Sequence, residues 1–142
     1  MTIHQLSIFI ENRSGTLIRV LNALKEANIQ IIASTIADTA EYGIYRLICS
    51  EPLRACEELK KANIAVALSD VFAIAIDDQP GRAAEAVKTF SEAGISIIYM
   101  YSFLLGGKGI LIFRTDDAQR AQQIIEERHL SVINESDLQH IS

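Results

Sequence analysis

Apolar and polar positions follow one another along the chain in an order that repeats. Leu6, Ile8 and Ile10 alternate with Gln5, Ser7 and Phe9, the period of two of a strand. Glu11–Ser14 reads as a turn. Leu17, Val20, Leu21 and Leu24 then fall on one face of a helix, which the spacing predicts over residues 15–27. Ile29–Ala37 is strand-like again, Asp38–Gly43 is a polar turn, and Ile44–Cys49 is a third strand. Pro52 suits the first turn of a second helix, where its missing N–H would have no partner anyway. That helix is expected to reach Ala62, with Ile64–Leu68 as a fourth strand.

The same order returns as Val71–Ile76, Pro80–Ala93, Ile95–Leu104, Lys108–Arg114, Asp116–Arg128 and Leu130–Asn134. A shift of 66 aligns the two halves without a gap: Gly15 falls on Gly81, Gly43 on Gly109, Ile10 on Ile76, and Asn28-Ile29-Gln30-Ile31-Ile32 on Gly94-Ile95-Ser96-Ile97-Ile98. Matching isoleucines cost little in an apolar chain, but two glycines and that run at one shift indicate duplication. Residues 1–70 and 71–142 are therefore expected to form two units.

Strand, helix, strand, strand, helix, strand is the split βαβ pattern. It places both helices on one face of a four-stranded antiparallel sheet, an α+β, ferredoxin-like βαββαβ arrangement in each unit. Ile95, Ile97, Tyr99, Tyr101 and Phe103 are expected on one face of their strand, with Ile98, Met100 and Leu104 on the other. Both faces are then apolar. A unit of this size alone buries only about 60% of its chain surface and is marginal, so the units should pack together or be covered by a second chain.

Composition narrows the function. Of 142 residues 49% are hydrophobic, as in a globular protein, and the net charge of −5 gives no electrostatic footing for nucleic acid or anionic lipid. No apolar run is long enough to span a membrane, and Met1–Arg13 lacks a basic segment before its apolar stretch. Cys49 and Cys56 stand apart from any Cys-x-x-Cys or His ligand spacing and read as reduced, inert thiols in a cytoplasmic protein. His4, His129 and His140 are scattered, so no metal, general base or cofactor is expected.

Two places carry candidate chemistry. Glu11-Asn12-Arg13-Ser14-Gly15-Thr16-Leu17, echoed by Asp77-Asp78-Gln79-Pro80-Gly81-Arg82-Ala83, puts a glycine at a helix start, where free N–H groups and the positive dipole end favour a carboxylate. Capping by Asn12 and Ser14 and helix initiation by Pro80 account for the same residues. Asn28 lies at the helix-to-strand junction, where Asn commonly caps in the left-handed conformation, and Gly94 at the equivalent position agrees with a cap. This junction is at the far end of the helix from Asn12. One ligand could meet both only across an interface between units. Arg13 and Arg82 could fork onto a ligand carboxylate or remain surface charges.

Ile10-Glu11-Asn12-Arg13-Ser14-Gly15-Thr16-Leu17 with Ala27-Asn28-Ile29 resembles the ACT domain, especially that of phosphoglycerate dehydrogenases, and nearly the whole chain resembles two such units in tandem. The resemblance implies amino-acid binding at interfaces between paired units and a regulatory role. It makes Asn12 and Asn28 the effector-holding pair, with Arg13, Ser14 and Gly15 lining the turn. Two departures stand out. Ser14 occupies the place where the family often has proline, and Ile10 the place where some members have histidine. In the second unit Asp78 and Gly94 replace the asparagine pair, with Pro80 and Gly81 completing the turn.

Gly106-Gly107-Lys108-Gly109 lacks phosphate-loop spacing and reads as a glycine-rich hairpin. Tyr99, Tyr101 and Phe103 lack the basic neighbours of an RNA-stacking sheet and read as packing residues. The expectation is a non-enzymatic regulatory protein, a homodimer that binds a small amino acid between units and acts through a partner enzyme or regulator or a change in assembly. Two other readings stay open: a small acylphosphatase-like enzyme using Arg13 and Asn28, and a ligand-free dimerisation scaffold.

Overall fold

The computed structural model describes residues 2–11, 15–38, 42–77 and 79–139. Its elements are β1 (Ile3–Glu11), α1 (Thr16–Glu26), β2 (Ile31–Asp38), β3 (Tyr42–Cys49), α2 (Pro52–Lys61), β4 (Val66–Ile76), α3 (Arg82–Glu92), β5 (Ile97–Leu105), β6 (Lys108–Thr115), α4 (Ala118–Glu127) and α5 (Glu135–Gln139). They form two compact units, His4–Ser69 with the C-terminal stretch from Leu138, and Asp70–Asp137 with the N-terminal residues up to Ile3.

In the first unit β3 lies between β1 and β2, antiparallel to both. The Phe9 N–H donates to the Ala65 carbonyl (3.0 Å), which brings the approach to β4 onto the other side of β1. The second unit repeats this plan: β6 lies between β4 and β5, and the return from α4 sets Val132 against Ile74. There Ala75 N–H donates to Ser131 (2.8 Å) and Ile133 N–H to Ala73 (2.9 Å). Each unit is thus an antiparallel α+β unit of the expected ferredoxin-like kind.

Helix spacing decides the cores. Val20 and Leu24 of α1 and Ala55, Cys56 and Leu59 of α2 meet Leu6, Ile8, Tyr45, Leu47 and Cys49 of the sheet. Ala86 and Phe90 of α3 and Ala121 and Ile125 of α4 meet Phe72, Ile74, Leu111 and Phe113, with the Phe90 and Phe113 rings 5.1 Å apart. Each large apolar side chain so buried contributes roughly 1.5–3 kcal/mol. Cys49 and Cys56 are buried inside the first core and are not joined in a disulfide. On the sheet face away from the helices Gln5, Ile48, Val71, Ala73, Ile110 and Ile112 are buried as well.

The structure departs from the sequence pattern in four ways. The two strands expected at Ile64–Leu68 and Val71–Ile76 are one strand, β4, because Ser69-Asp70 contains neither glycine nor proline to break an extended chain. The last expected strand is reduced to a bridge at Val132, and the short helix α5 follows it. Pro80 does not open α3, which begins at Arg82 after Gly81. In β5 the extra residue Ile98 interrupts the alternation: Ile97 is opposite Thr115 but Tyr99 is opposite Arg114, so Ile97 turns to the helix-side core and Tyr99 to the other face. Ile32 does the same in β2, between Ile31 opposite Cys49 and Ala33 opposite Ile48.

The hairpin reading holds: β5 and β6 are joined by Gly106 and Gly107, both at positive φ as a two-residue type I′ turn requires. Among the described residues no helix is long and apolar enough to cross a membrane.

Candidate functional site

The two helix-opening turns share one backbone device. Gly15 precedes α1 at φ +99° and Gly81 precedes α3 at φ +86°. An added Cβ would meet nothing within 4 Å at either, so glycine is needed for its conformation rather than for space. Their carbonyls accept the first helical bonds, from Arg19 N–H (3.1 Å) and Glu85 N–H (3.0 Å). Pro80 is exposed in the turn before Gly81. Asn12, Arg13, Ser14 and Asp78 lie outside the described residues. Arg82 pairs with carboxylates of its own unit, Nη1 with Glu85 Oε2 at 3.0 Å and Nε with Asp77 Oδ2 at 3.8 Å.

Asn28 closes α1 in the left-handed conformation, φ +57°. Its N–H donates to Lys25 O (3.0 Å) and the Ile29 N–H to Leu24 O (2.9 Å), the two bonds of a Schellman cap. α2, α3 and α4 end identically, at Asn63 (φ +59°), Gly94 (φ +76°) and His129 (φ +53°), each followed by an isoleucine or leucine whose N–H reaches back into the helix. The backbone alone therefore gives a reason for Asn28, and its amide is left available for another use.

A hollow of about 590 Å³ opens beside that amide in the first unit. Leu21, Leu24 and Ile31 form an aliphatic side, and Lys25, Gln30 and Ser50 bring an ammonium, an amide and a hydroxyl. Ser50 is tied to Gln30 twice: its Oγ accepts from the Gln30 N–H (3.0 Å) and its N–H donates to the Gln30 carbonyl (2.9 Å). The second unit makes the same clamp with Asp116, which accepts from the Ser96 N–H (2.9 Å) and donates to its carbonyl (3.1 Å). Lys25, Gln30 and Ser50 carry no motif of their own. The 66-residue shift onto Ser96 and Asp116 is the signal that could have drawn attention to two of them.

Among the described residues, nothing from the Gly15 turn lines this hollow. The structure thus brings Asn28 together with Lys25, Gln30 and Ser50 and leaves Gly15 outside the group. A second hollow, of about 490 Å³, lies in the other unit between Arg82, Glu85 and Thr89 of α3 and His129–Ser131. Among the described residues no group of His, Cys, Asp and Glu is arranged to hold a metal.

The family model for the ACT domain pair matches residues 1–142. The chain belongs to that family. Among solved structures, this ACT pair is similar to protein BT0572 from Bacteroides thetaiotaomicron, at TM-score 0.93 and 35% identity over 99% of this chain and 98% of that one. It shares its fold with the regulatory subunit of aspartate kinase from Thermus thermophilus, at TM-score 0.61 and 16% identity over 87% and 91% of the two chains. The corresponding subunit from Thermus flavus gives 0.62 and 16%, over 89% and 90%. Among curated proteins none matches the sequence.

Proposed function

We propose that this ACT pair is a non-catalytic regulatory module that binds a small amino acid and acts through a partner chain or a change in its own assembly. The observation that carries the reading is the mixed lining of the hollow at Asn28. Lys25 supplies a cation for a carboxylate, Asn28 and Gln30 supply amides that accept as well as donate, and Leu21, Leu24 and Ile31 offer an aliphatic side chain a dry wall. A zwitterion with a short apolar side chain suits that set.

In the dehydrogenase-type pattern that these residues resemble, two asparagines hold one effector across an interface. The hollow at Asn28 is then half of a site, and Asn12, Arg13, Ser14 and Gly15 of a neighbouring unit supply the other half. By the 66-residue shift Asp78, Pro80 and Gly81 of the second unit match that segment in sequence, with a carboxylate where the first has an amide. Two chains of the same fold are regulatory subunits of aspartate kinase, which suits a module that works beside another protein. Cys49 and Cys56, buried and not joined in a disulfide, suit a cytoplasmic setting.

A thermal-shift panel of the common amino acids tests the proposal. A ligand at about 100 times its dissociation constant adds roughly 2.7 kcal/mol of stability, which raises the melting temperature by several degrees. Asn12→Ala and Asn28→Gly should remove the shift, and Asp78→Ala should leave it. The absence of any shift at millimolar amino acid would overturn the reading.

A further inference from the structure

An arginine that closes one end of the first unit is missing from the second. Arg19 of α1 reaches across to the carbonyl of Ala62 at the end of α2, its Nη2 donating at 2.9 Å. The 66-residue shift puts Glu85 of α3 at the place of Arg19, and Arg128, just after α4, at the place of Ala62. A carboxylate thus stands where the first unit keeps a guanidinium, and among the described residues no donor meets the Arg128 carbonyl. The hollow of about 490 Å³ opens at this point, with Glu85 and His129 both in its wall. Its lining is more polar and roomier than the same positions of the first unit: Ala23 becomes Thr89, Ala65 becomes Ser131, and Val20 shrinks to Ala86.

We propose that this hollow binds a small guanidinium-bearing molecule, whose cation takes the place that Arg19 fills in the first unit. Charge favours a cation there, since Asp77 and Glu85 stand against the single guanidinium of Arg82. Arg82 Nη1 bonds Glu85 Oε2 at 3.0 Å, whereas its Nε is 3.8 Å from Asp77 Oδ2, beyond hydrogen-bond length. Exposed pairs of this kind hold weakly, so Glu85 can turn its other oxygen to a ligand. Thr89 Oγ1 donates to the Glu85 carbonyl (3.0 Å), which leaves the oxygen itself as an acceptor. The Arg128 carbonyl, at the negative end of the α4 dipole, completes a set of acceptors that suits the planar donor fork of a guanidinium. Ile76, Ala86 and Leu130 offer the methylene chain behind it an apolar floor. The proposal does not rest on the hollow at Asn28, where Lys25 favours a carboxylate.

Calorimetric titration of the full chain with agmatine, arginine and citrulline tests this. Agmatine carries the guanidinium without a carboxylate, and citrulline keeps the shape of arginine with a neutral urea group in its place. Agmatine and arginine should bind, citrulline should not, and binding should weaken as salt rises. Glu85→Gln should raise the agmatine dissociation constant roughly tenfold or more. Glu85→Arg restores the residue of the first unit and should abolish binding, because the protein's own side chain then fills the place. Glu57→Gln removes an exposed carboxylate from the first unit and should change nothing. Glu85 is exposed, so the melts of its variants should stay cooperative.

No binding of agmatine at millimolar concentration would overturn the proposal. So would citrulline binding as tightly as arginine, equal losses on Glu85→Gln and Glu57→Gln, or a Glu85→Arg variant that still binds. Arginine binding that survives Glu85→Gln and vanishes on Asn28→Gly would belong to the hollow of the first unit, sinking this proposal and supporting the other reading. Agmatine binding lost on Glu85→Gln, in a protein that no neutral amino acid stabilises, would do the reverse.

Discussion

Ile76 lies so close to Gly109 across the β4–β6 ladder that a Cβ on the glycine would sit 3.2 Å from Ile76 Cγ1. Ile10 and Gly43 repeat the contact at 3.3 Å in the first unit. Gly43 and Gly109 are thus held by a neighbouring isoleucine and not by a turn. Gly109→Ala and Gly43→Ala should each cost about 1–3 kcal/mol by overpacking. Combining Gly109→Ala with Ile76→Ala should cost less than the sum of the two, since the clash is then gone. Urea unfolding of the four variants checks both statements.

At Asn28 the backbone role and the proposed ligand role separate by substitution. Asn28→Gly keeps the left-handed cap and copies Gly94, so stability should stay within a few tenths of a kcal/mol, whereas Asn28→Ala should lose about 1–2 kcal/mol from an unfavourable φ. Denaturant midpoints give the first comparison. Ligand-induced shifts in melting temperature on the glycine variant give the second.

Thr115 holds a buried hydroxyl with no hydrogen-bond partner. Its desolvation is uncompensated, so Thr115→Val should be neutral or stabilise by up to about 1 kcal/mol. Phe113→Ala, two residues earlier in the second core, should cost about 3–5 kcal/mol. A thermal melt that ranked these in the opposite order would contradict the assigned faces of β6.

Two arginines tie the helices of each unit at their ends. Arg19 Nη2 donates to the Ala62 carbonyl at the end of α2 (2.9 Å), and Arg120 Nε donates to the Ala93 carbonyl at the end of α3 (3.1 Å). They sit on opposite members of the helix pair, so they are not copies of one another. Both bonds are exposed, and Arg19→Met and Arg120→Met should each cost roughly 0.5–1.5 kcal/mol. Amide exchange at the last turns of α2 and α3 should rise correspondingly.

Glu51 and Arg54 form a two-pronged pair at the start of α2, at 2.6 and 3.2 Å. The hydrogen bond from Arg54, helped by its charge and opposed by partial desolvation, holds the Glu51 carboxyl below its ordinary value. The contribution is present above the ordinary carboxylate range and fades as pH falls through the lowered value. Melting curves of wild type and Glu51→Gln should therefore differ at neutral pH and converge in acid.

The period of the apolar positions made the helices, most strands and the two-fold repeat legible, because each element buries one face and burial repeats with the element. β4 was not, since the break expected at Ser69-Asp70 had no residue that enforces one. The bulges at Ile32 and Ile98 were hidden for a different reason: an isoleucine is acceptable on either face, so an extra one leaves the composition of the pattern unchanged. At the candidate site Asn28 was visible by type and its equivalence to Gly94 by the repeat, whereas its likeness to Asn63 and His129 emerged only from backbone angles. Lys25, Gln30 and Ser50 meet through the fold and share no local motif.

The bulges also decide which kind of sequence change the edge strands can survive. Most single replacements along β5 alter one contact. Loss of the single residue Ile98 would carry everything before it, including Ile95 and Ile97, to the opposite side of the sheet, so the whole start of the strand would exchange core for solvent. At these two positions the protein should tolerate a change of residue far better than a change of length.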